Sequence, residues 1–302
     1  SLVLYVDLDR RLPVTGPFDR QITIGCGAFL ELMSIAAAEE GYRLEISTFP
    51  DGEDLRSLDR RSIALVRFMT DGATRDPLFN QILARRSNKQ IYEDREVPDS
   101  ALTALAEAGR VQGVTSSTIG NTALAASLRD LTWRSHMKEI MTPAANQESV
   151  DLMRIGATEV TANPDGIALE GPMIEIGRRL GMLSREALAD PTSSAFQQGL
   201  DLYKKMAMSA RAFGWISNAN KTRLDQLNAG RAYVRVNLKA TALGLAVHPW
   251  SQALQEYPEM RELYDEAHLL IGQGERVQML YRSGYAKDIE PAPRRGLHAH
   301  LV

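Results

Sequence analysis

Two stretches far apart in the chain follow one pattern. When residues 26–47 are laid over residues 229–250, Gly27 falls on Gly230 and Gly41 on Gly244. A segment of helical length, apolar on one side, lies between the glycines of each pair. A glycine just past such a segment ends a helix cheaply, because it accepts the left-handed backbone that closes the last turn. A short apolar stretch follows each glycine. Further on, Ile63-Ala64-Leu65-Val66-Arg67 parallels Val277-Gln278-Met279-Leu280-Tyr281, and the two parallels close near Pro77 and near Pro291 and Pro293. Two copies of helix-then-strand predict two related halves packed face to face.

The remaining pattern predicts a strand over 2–7, a helix over 25–40 and strands over 43–48 and 62–69. Asp76-Pro77 is a good helix start, and the helix it would open carries Leu78, Phe79, Ile82 and Leu83 on one face. Asp99 starts another helix that Gly109 stops, with a short strand over 110–115. Residues 119–211 read as mostly helical, broken near Pro143, at Asn163 to Gly166, at Gly171-Pro172 and at Asp190-Pro191. A strand over 212–217, a long helix over 222–243 and a strand over 276–285 complete the set. Strands and helices mix without a clean β-α-β alternation, which predicts an α+β fold.

Composition excludes more than it assigns. The chain has 302 residues and a formal net charge of -3, from 35 basic and 38 acidic side chains. That balance gives no electrostatic case for nucleic acid or an anionic membrane as a partner. No apolar run approaches the roughly 20 residues of a membrane span. Cys26 stands alone, so neither an internal disulfide nor a cysteine-based zinc site can form. The chain opens on a strand-like segment, as though it began earlier in the natural protein.

Arg85-Arg86-Ser87-Asn88-Lys89 sets three cations and two hydrogen-bonding side chains side by side. Arginine binds phosphate with two parallel N–H groups and serine adds a hydroxyl. The bland alternative is a solvated basic turn at a helix C-terminus. Other candidates are weaker. Gly25-x-Gly27 and Gly272-x-Gly274 lack the third glycine of a dinucleotide fingerprint. His298 and His300 pair at a chain end, where exposure is the ordinary reason. Trp133-Arg134-Ser135-His136 reads as packing and surface, and Met206 with Met208 as core or lid.

The segment 76–98 resembles the opening of the flavin mononucleotide (FMN)-dependent nitroreductases. That opening is a helix, a basic-basic-Ser-x-basic run, an aromatic and a Val-Pro, matched here by Arg85 to Lys89, Tyr92 and Val97-Pro98. Residues 228–252 resemble the family's long core helix and the loop beyond it over the flavin. Met279 to Tyr285 and Pro291-Ala292-Pro293-Arg294-Arg295 resemble its last strand and basic tail. The resemblance implies a noncovalent FMN, with Arg85, Arg86, Ser87, Arg294 and Arg295 at the phosphate. It puts Lys89 at the ring edge, where a cation stabilises negative charge. It also sets the backbone of Pro249, Trp250, Ser251 and Gln252 opposite flavin N5.

Residues 1–75 resemble a lidless second half, fused in front of the normal one in the Acg type of this family. The implied fold is the α+β nitroreductase-like fold, duplicated as a pseudo-dimer. Its halves are 1–75 and 76–302, the second with a helical insertion over 115–211. Such a chain could be a monomer or pair again as a homodimer. The family's Asn-x-Gln-Pro-Trp segment is missing at Val114 to Thr118. In the fused branch it is expected upstream of Ser1, where a twin-arginine export signal would imply the bacterial periplasm and its absence the cytoplasm. The implied activity passes hydride from NAD(P)H through the flavin to a nitroaromatic or quinone-like acceptor. Two rivals stand beside it. One is a flavin-sequestering protein whose residues 115–211 cover the site. The other is a cofactor-free α/β protein whose arginines meet a partner surface.

Overall fold

The computed structural model describes residues 1–301. In chain order its elements begin with β1 (Leu2–Leu4), α1 (Arg20–Glu39), β2 (Arg43–Thr48), β3 (Ala64–Met69), α2 (Asp99–Ala108) and β4 (Thr115–Ile119). A mostly helical stretch follows: α3 (Ala123–Met141), α4 (Pro143–Asp151), β5 (Met153–Ile155), α5 (Ala157–Ala162), β6 (Ile167–Leu169), α6 (Pro172–Arg179), α7 (Arg185–Ala189) and α8 (Ser194–Met208). The chain then runs through β7 (Ala212–Asn218), α9 (Arg223–Ala242), β8 (Ala246–Pro249), α10 (Arg261–Ile271) and β9 (Arg276–Gly284).

The crossing of α1 and α9 organises the molecule. A Cβ on Gly27 would stand 1.9 Å from the Leu227 carbonyl oxygen, and one on Gly230 would stand 1.8 Å from that of Ile24. Only glycine lets the two backbones approach so closely. The offset read from the sequence holds along both helices, because 20, 27, 39 and 41 fall on 223, 230, 242 and 244. Gly41 and Gly244 both take positive φ, 86° and 67°. The glycines of Gly25-x-Gly27 therefore lie inside a packed helix rather than in a phosphate loop.

Each helix leads into an antiparallel sheet. One has the order β1-β3-β2 and the other β4-β7-β9-β8. In both, the strand after the glycine pairs with a later one, β2 with β3 and β8 with β9. The sheets are antiparallel and separate from most of the helices, so the architecture is α+β. Parallel pairing among the described residues is confined to β5 and β6.

Several expectations need correction. Asp76-Pro77 opens no helix, only a 3-10 turn over Phe79–Gln81. Asp76 does accept from the Leu78 N–H at 2.9 Å, but its other oxygen is engaged by Arg235. Leu83, on the supposed apolar face, is 89 % exposed, so nothing drives a longer helix. α1 starts five residues before the expected helix, behind Asp19 in a left-handed conformation whose carboxylate holds Arg11 and the Leu58 N–H. The strand expected over 110–115 lies over 115–119, on the edge beside β7. Residues 119–211 contain a small strand pair inside the helices. The chain breaks there fall where Pro143, Asn163 to Gly166, Gly171-Pro172 and Asp190-Pro191 put them.

α1 is, by length and composition, long and apolar enough to cross a membrane, so the reading that no segment reaches that length was too strict. Here it is a core helix packed along α9. Arg20 at its start is buried and donates to the carbonyls of Gln278 and Leu254 and to Glu256.

Candidate functional site

The basic run lies in a loop stitched to two other parts of the chain. Asn88 holds it there. Its N–H donates to the Val247 carbonyl at 2.9 Å and its Nδ2 to the Lys287 carbonyl at 2.8 Å. Its Oδ1 accepts from the Gln90 N–H, and its own carbonyl accepts from the Tyr92 hydroxyl. The loop is thereby fixed to β8 on one side and to the C-terminal tail on the other.

This stitching brings Arg85, Arg86 and Arg294 together. Burial pushes the Arg85 guanidinium below its ordinary range, and the positive charges of Arg294 and Arg86 push it further the same way. Arg86 Nη1 donates to the Leu83 and Arg85 carbonyls. The Nε atoms of Arg85 and Arg86 are buried without a hydrogen-bond partner. Among the described residues, no carboxylate comes within ion-pair distance of Arg85, Arg86, Lys89, Arg294 or Arg295. Arg235 nearby is different, held at 2.8 Å by both Glu31 and Asp76. Cations gathered without acids suit an anion. Ser87 lies exposed between them.

The second part of the site surrounds the loop after β8. Trp250 is buried, and its backbone N–H donates to the Leu280 carbonyl at 2.8 Å. Pro249 has no N–H. Of the loop amides expected to meet a flavin, those of Ser251 and Gln252 are left as candidates. The Ser251 hydroxyl joins β9, donating to the Leu280 carbonyl and accepting from its N–H, both at 3.0 Å. The Trp250 ring packs edge-on against His136 and Tyr203, which stack at 4.1 Å. Met206 closes the cluster, whereas Met208 is exposed.

Arg282 joins the two parts. It is fully buried on β9 and donates to His248 Nδ1, to the Met206 and Gln90 carbonyls and to the Ser209 hydroxyl. Its guanidinium lies 4.0 Å from the Tyr92 ring centre and 5.2 Å from that of Trp250. Burial lowers it to about 10. Burial holds His248 well below its ordinary value, with Arg282, Lys89 and His136 adding to the effect. Lys89 remains reachable by water, yet the protein walls around it lower its ammonium too.

No protein-family profile matches the chain. Among curated proteins it is 26 % identical over 312 residues to "Putative NAD(P)H nitroreductase Rv3131" of Mycobacterium tuberculosis, covering 98 % of this chain and 81 % of that protein. It is also 26 % identical over 302 residues to "Putative NAD(P)H nitroreductase acg" of the same organism, covering 97 % and 83 %. The chain is thus similar over nearly its whole length to proteins named "Putative NAD(P)H nitroreductase". Among solved structures it matches the FMN-dependent nitroreductase NfnB of Mycobacterium smegmatis in complex with NADPH. That match has 18 % identity and a TM-score of 0.46, over 74 % of this chain and 96 % of that one.

Sequence reasoning had counted Asn88 only as a hydrogen-bonding side chain of the basic run, and had not marked Arg282 or His136 as belonging to the site. A charged residue inside the apolar run Met279-Leu280-Tyr281 and onward was the available signal for Arg282. His136 had been placed in packing and surface. Packing is right, but the surface it packs on is the Trp250 cluster. His298 and His300 are exposed, and no group of three metal-ligating side chains exists among the described residues.

Proposed function

We propose that the chain binds FMN and works as an NAD(P)H-dependent oxidoreductase of the nitroreductase type. The observation that carries this is the meeting of Arg85, Arg86 and Arg294 with no acid to neutralise them. A protein keeps like charges together at a cost to the folded state, and an anionic ligand offsets that cost. The buried, unpartnered Nε of Arg85 fits a phosphate oxygen. Arg85, Ser87, Arg294 and Arg295 would hold the phosphate, and Lys89 would lie at the ring edge. The loop of Pro249, Trp250 and Ser251 would flank the ring.

When bound, the flavin supplies a two-electron carrier between a nicotinamide donor and an acceptor of nitroaromatic or quinone type. The chain's own groups orient and exclude water. The arginines fix the phosphate end, Trp250 gives the site an apolar wall, and Lys89 favours negative charge on the ring. The near-constant offset between α1 and α9 supports a division into halves at 1–75 and 76–302, with the pair of halves replacing a dimer.

A second reading has an observation of its own. His136 on α3 and Tyr203 on α8 lie over the Trp250 side chain. A helical cover in that place would leave a flavin held but shut off from nicotinamide, in a sequestering role. The purified protein is mixed with FMN and freed of excess, and its visible spectrum is recorded. Retained flavin absorption supports binding, and a colourless protein overturns both readings. NADPH consumption with a nitroaromatic acceptor then separates them, because a sequestering protein retains flavin and shows no turnover.

A further inference from the structure

Beside Arg85 lies a pair of polar side chains left without partners. Tyr233 and Asn237 are one helical turn apart on α9, 9 % and 1 % exposed. The Tyr233 hydroxyl and Asn237 Nδ2 make no hydrogen bond, and neither does the Nε of Arg85. The three belong to one place. The positive charge of Arg85 acts on the Tyr233 hydroxyl, and Asn237 is its neighbour one turn along the same helix face. Buried polar groups are nearly always paired, so a set of neighbouring orphans marks a missing partner. That partner must accept hydrogen bonds. A guanidinium and an amide NH₂ can only donate, and burial keeps the tyrosine protonated as a donor as well. On α1 the residues at the matching offset are Leu30 and Ser34, and Ser34 donates to the Leu30 carbonyl within its own helix. The orphans are thus particular to the side facing Arg85.

Resting on the flavin-binding reading above, we propose that Tyr233 and Asn237 form the neutral floor of the phosphate clamp. Tyr233 donates its hydroxyl hydrogen to an oxygen of a phosphate monoester. Asn237 is a positioning residue, donating its amide hydrogen to the tyrosine oxygen. The arginines attract any anion, whereas a floor of directed donors selects for the phosphate-bearing form of a flavin over the bare one.

The test compares dissociation constants for FMN and riboflavin, read by quenching of flavin fluorescence on the full chain. The proteins are the unaltered chain, Tyr233→Phe, Asn237→Leu, the double variant and Arg85→Ala, with urea unfolding midpoints as a control. The expected result for Tyr233→Phe is FMN binding weakened about tenfold, the size of one good hydrogen bond to a charged group. Riboflavin binding and the unfolding midpoint should stay unchanged. The double variant should bind FMN no worse than Tyr233→Phe alone, because Asn237 acts through the tyrosine. Equal weakening for FMN and riboflavin would show a structural role and overturn the floor. Unchanged FMN binding in Tyr233→Phe, beside a loss in Arg85→Ala, overturns the floor and leaves the flavin reading standing. Absence of FMN binding by the unaltered chain overturns both.

Discussion

Gly27 lies against the Leu227 turn of α9, and Gly230 lies against the Ile24–Ala28 turn of α1, each with no room for a side chain. An alanine at either position would drive a methyl group into backbone, which cannot rotate away as a flexible side chain could. Gly27→Ala and Gly230→Ala should each destabilise the protein by about 2–3 kcal/mol, the upper part of the range for overpacking. Gly25→Ala, on the same helix with nothing within 4 Å of its would-be Cβ, should cost nothing and gain helix propensity. Urea midpoints of the three variants decide it. A destabilised Gly25→Ala would mean that helix packing is not the reason.

Arg85 and Arg294 should show a conflict between stability and binding. Removing Arg294 relieves a like charge beside a buried guanidinium, so Arg294→Ala should leave the ligand-free protein no less stable. The same change should weaken FMN binding by about 1–3 kcal/mol, the range for a charged hydrogen-bonding partner. A structural arginine behaves the other way, with stability falling and affinity following. Parallel unfolding and flavin-binding curves separate the two.

Arg282 should be irreplaceable even by lysine. Its planar fork reaches four acceptors on three segments, which a single ammonium cannot span. Arg282→Met leaves the Gln90 carbonyl unpaired, at about 1–3 kcal/mol where burial is complete, and leaves the Met206 carbonyl only its Ser209 hydroxyl donor. Arg282→Lys should recover less than half of that loss in urea unfolding. Full recovery would show that charge alone matters there.

The two helices and their glycines were legible because their constraint is local: a period, a length and a terminating glycine. The basic run was legible as chemistry but not as geometry. Arg85 to Lys89 reads like a helix end, yet Asn88 makes it a loop by bonding to Val247 and Lys287, residues far away in sequence. No periodicity signals such a tie. Asp76 failed as a helix start for a similar reason, since its second oxygen answers to Arg235 on another element. Tyr233 and Asn237 were invisible as site residues because a buried helix position looks alike whether its neighbour is core or ligand.

Acid should destabilise the protein through His136. Burial lowers this imidazole to about 4 from an ordinary value of 6.5. The unfolded chain takes up the proton below about 6.5 and the folded chain only near 4. Between those values the unfolded state holds more protons, so stability is lost as pH falls through that window. His248, also lowered, acts in the same direction. Glu139 acts oppositely: burial raises its carboxyl, so its contribution favours the fold at acid pH and is lost as pH rises through the raised value. For His136 alone the loss from pH 7 to pH 5 is about 2 kcal/mol. His136→Phe should flatten the dependence of the urea midpoint on pH by that amount. An unchanged pH dependence in the variant would place the acid sensitivity elsewhere.

Each chain should hold one flavin and not two. The α1–α9 offset maps Ser34 onto Asn237 and Leu44 onto Val247, so the counterpart of the Arg85 site is the groove lined by Ser34, Ala38, Arg43, Leu44, Thr74 and Arg231. That groove is open, with a volume of about 440 Å³. Its two arginines are already neutralised, Arg43 by Glu45 at 3.3 Å and Arg231 by Glu31 at 2.8 Å. An entering phosphate would have to break those pairs, whereas at Arg85 it meets cations with no acid partner. Flavin released by acid from the saturated protein, measured against protein concentration, should give a ratio of one. A ratio of two would mean that the paired arginines of the groove yield to a phosphate, and that like-charge clustering is not what selects the site.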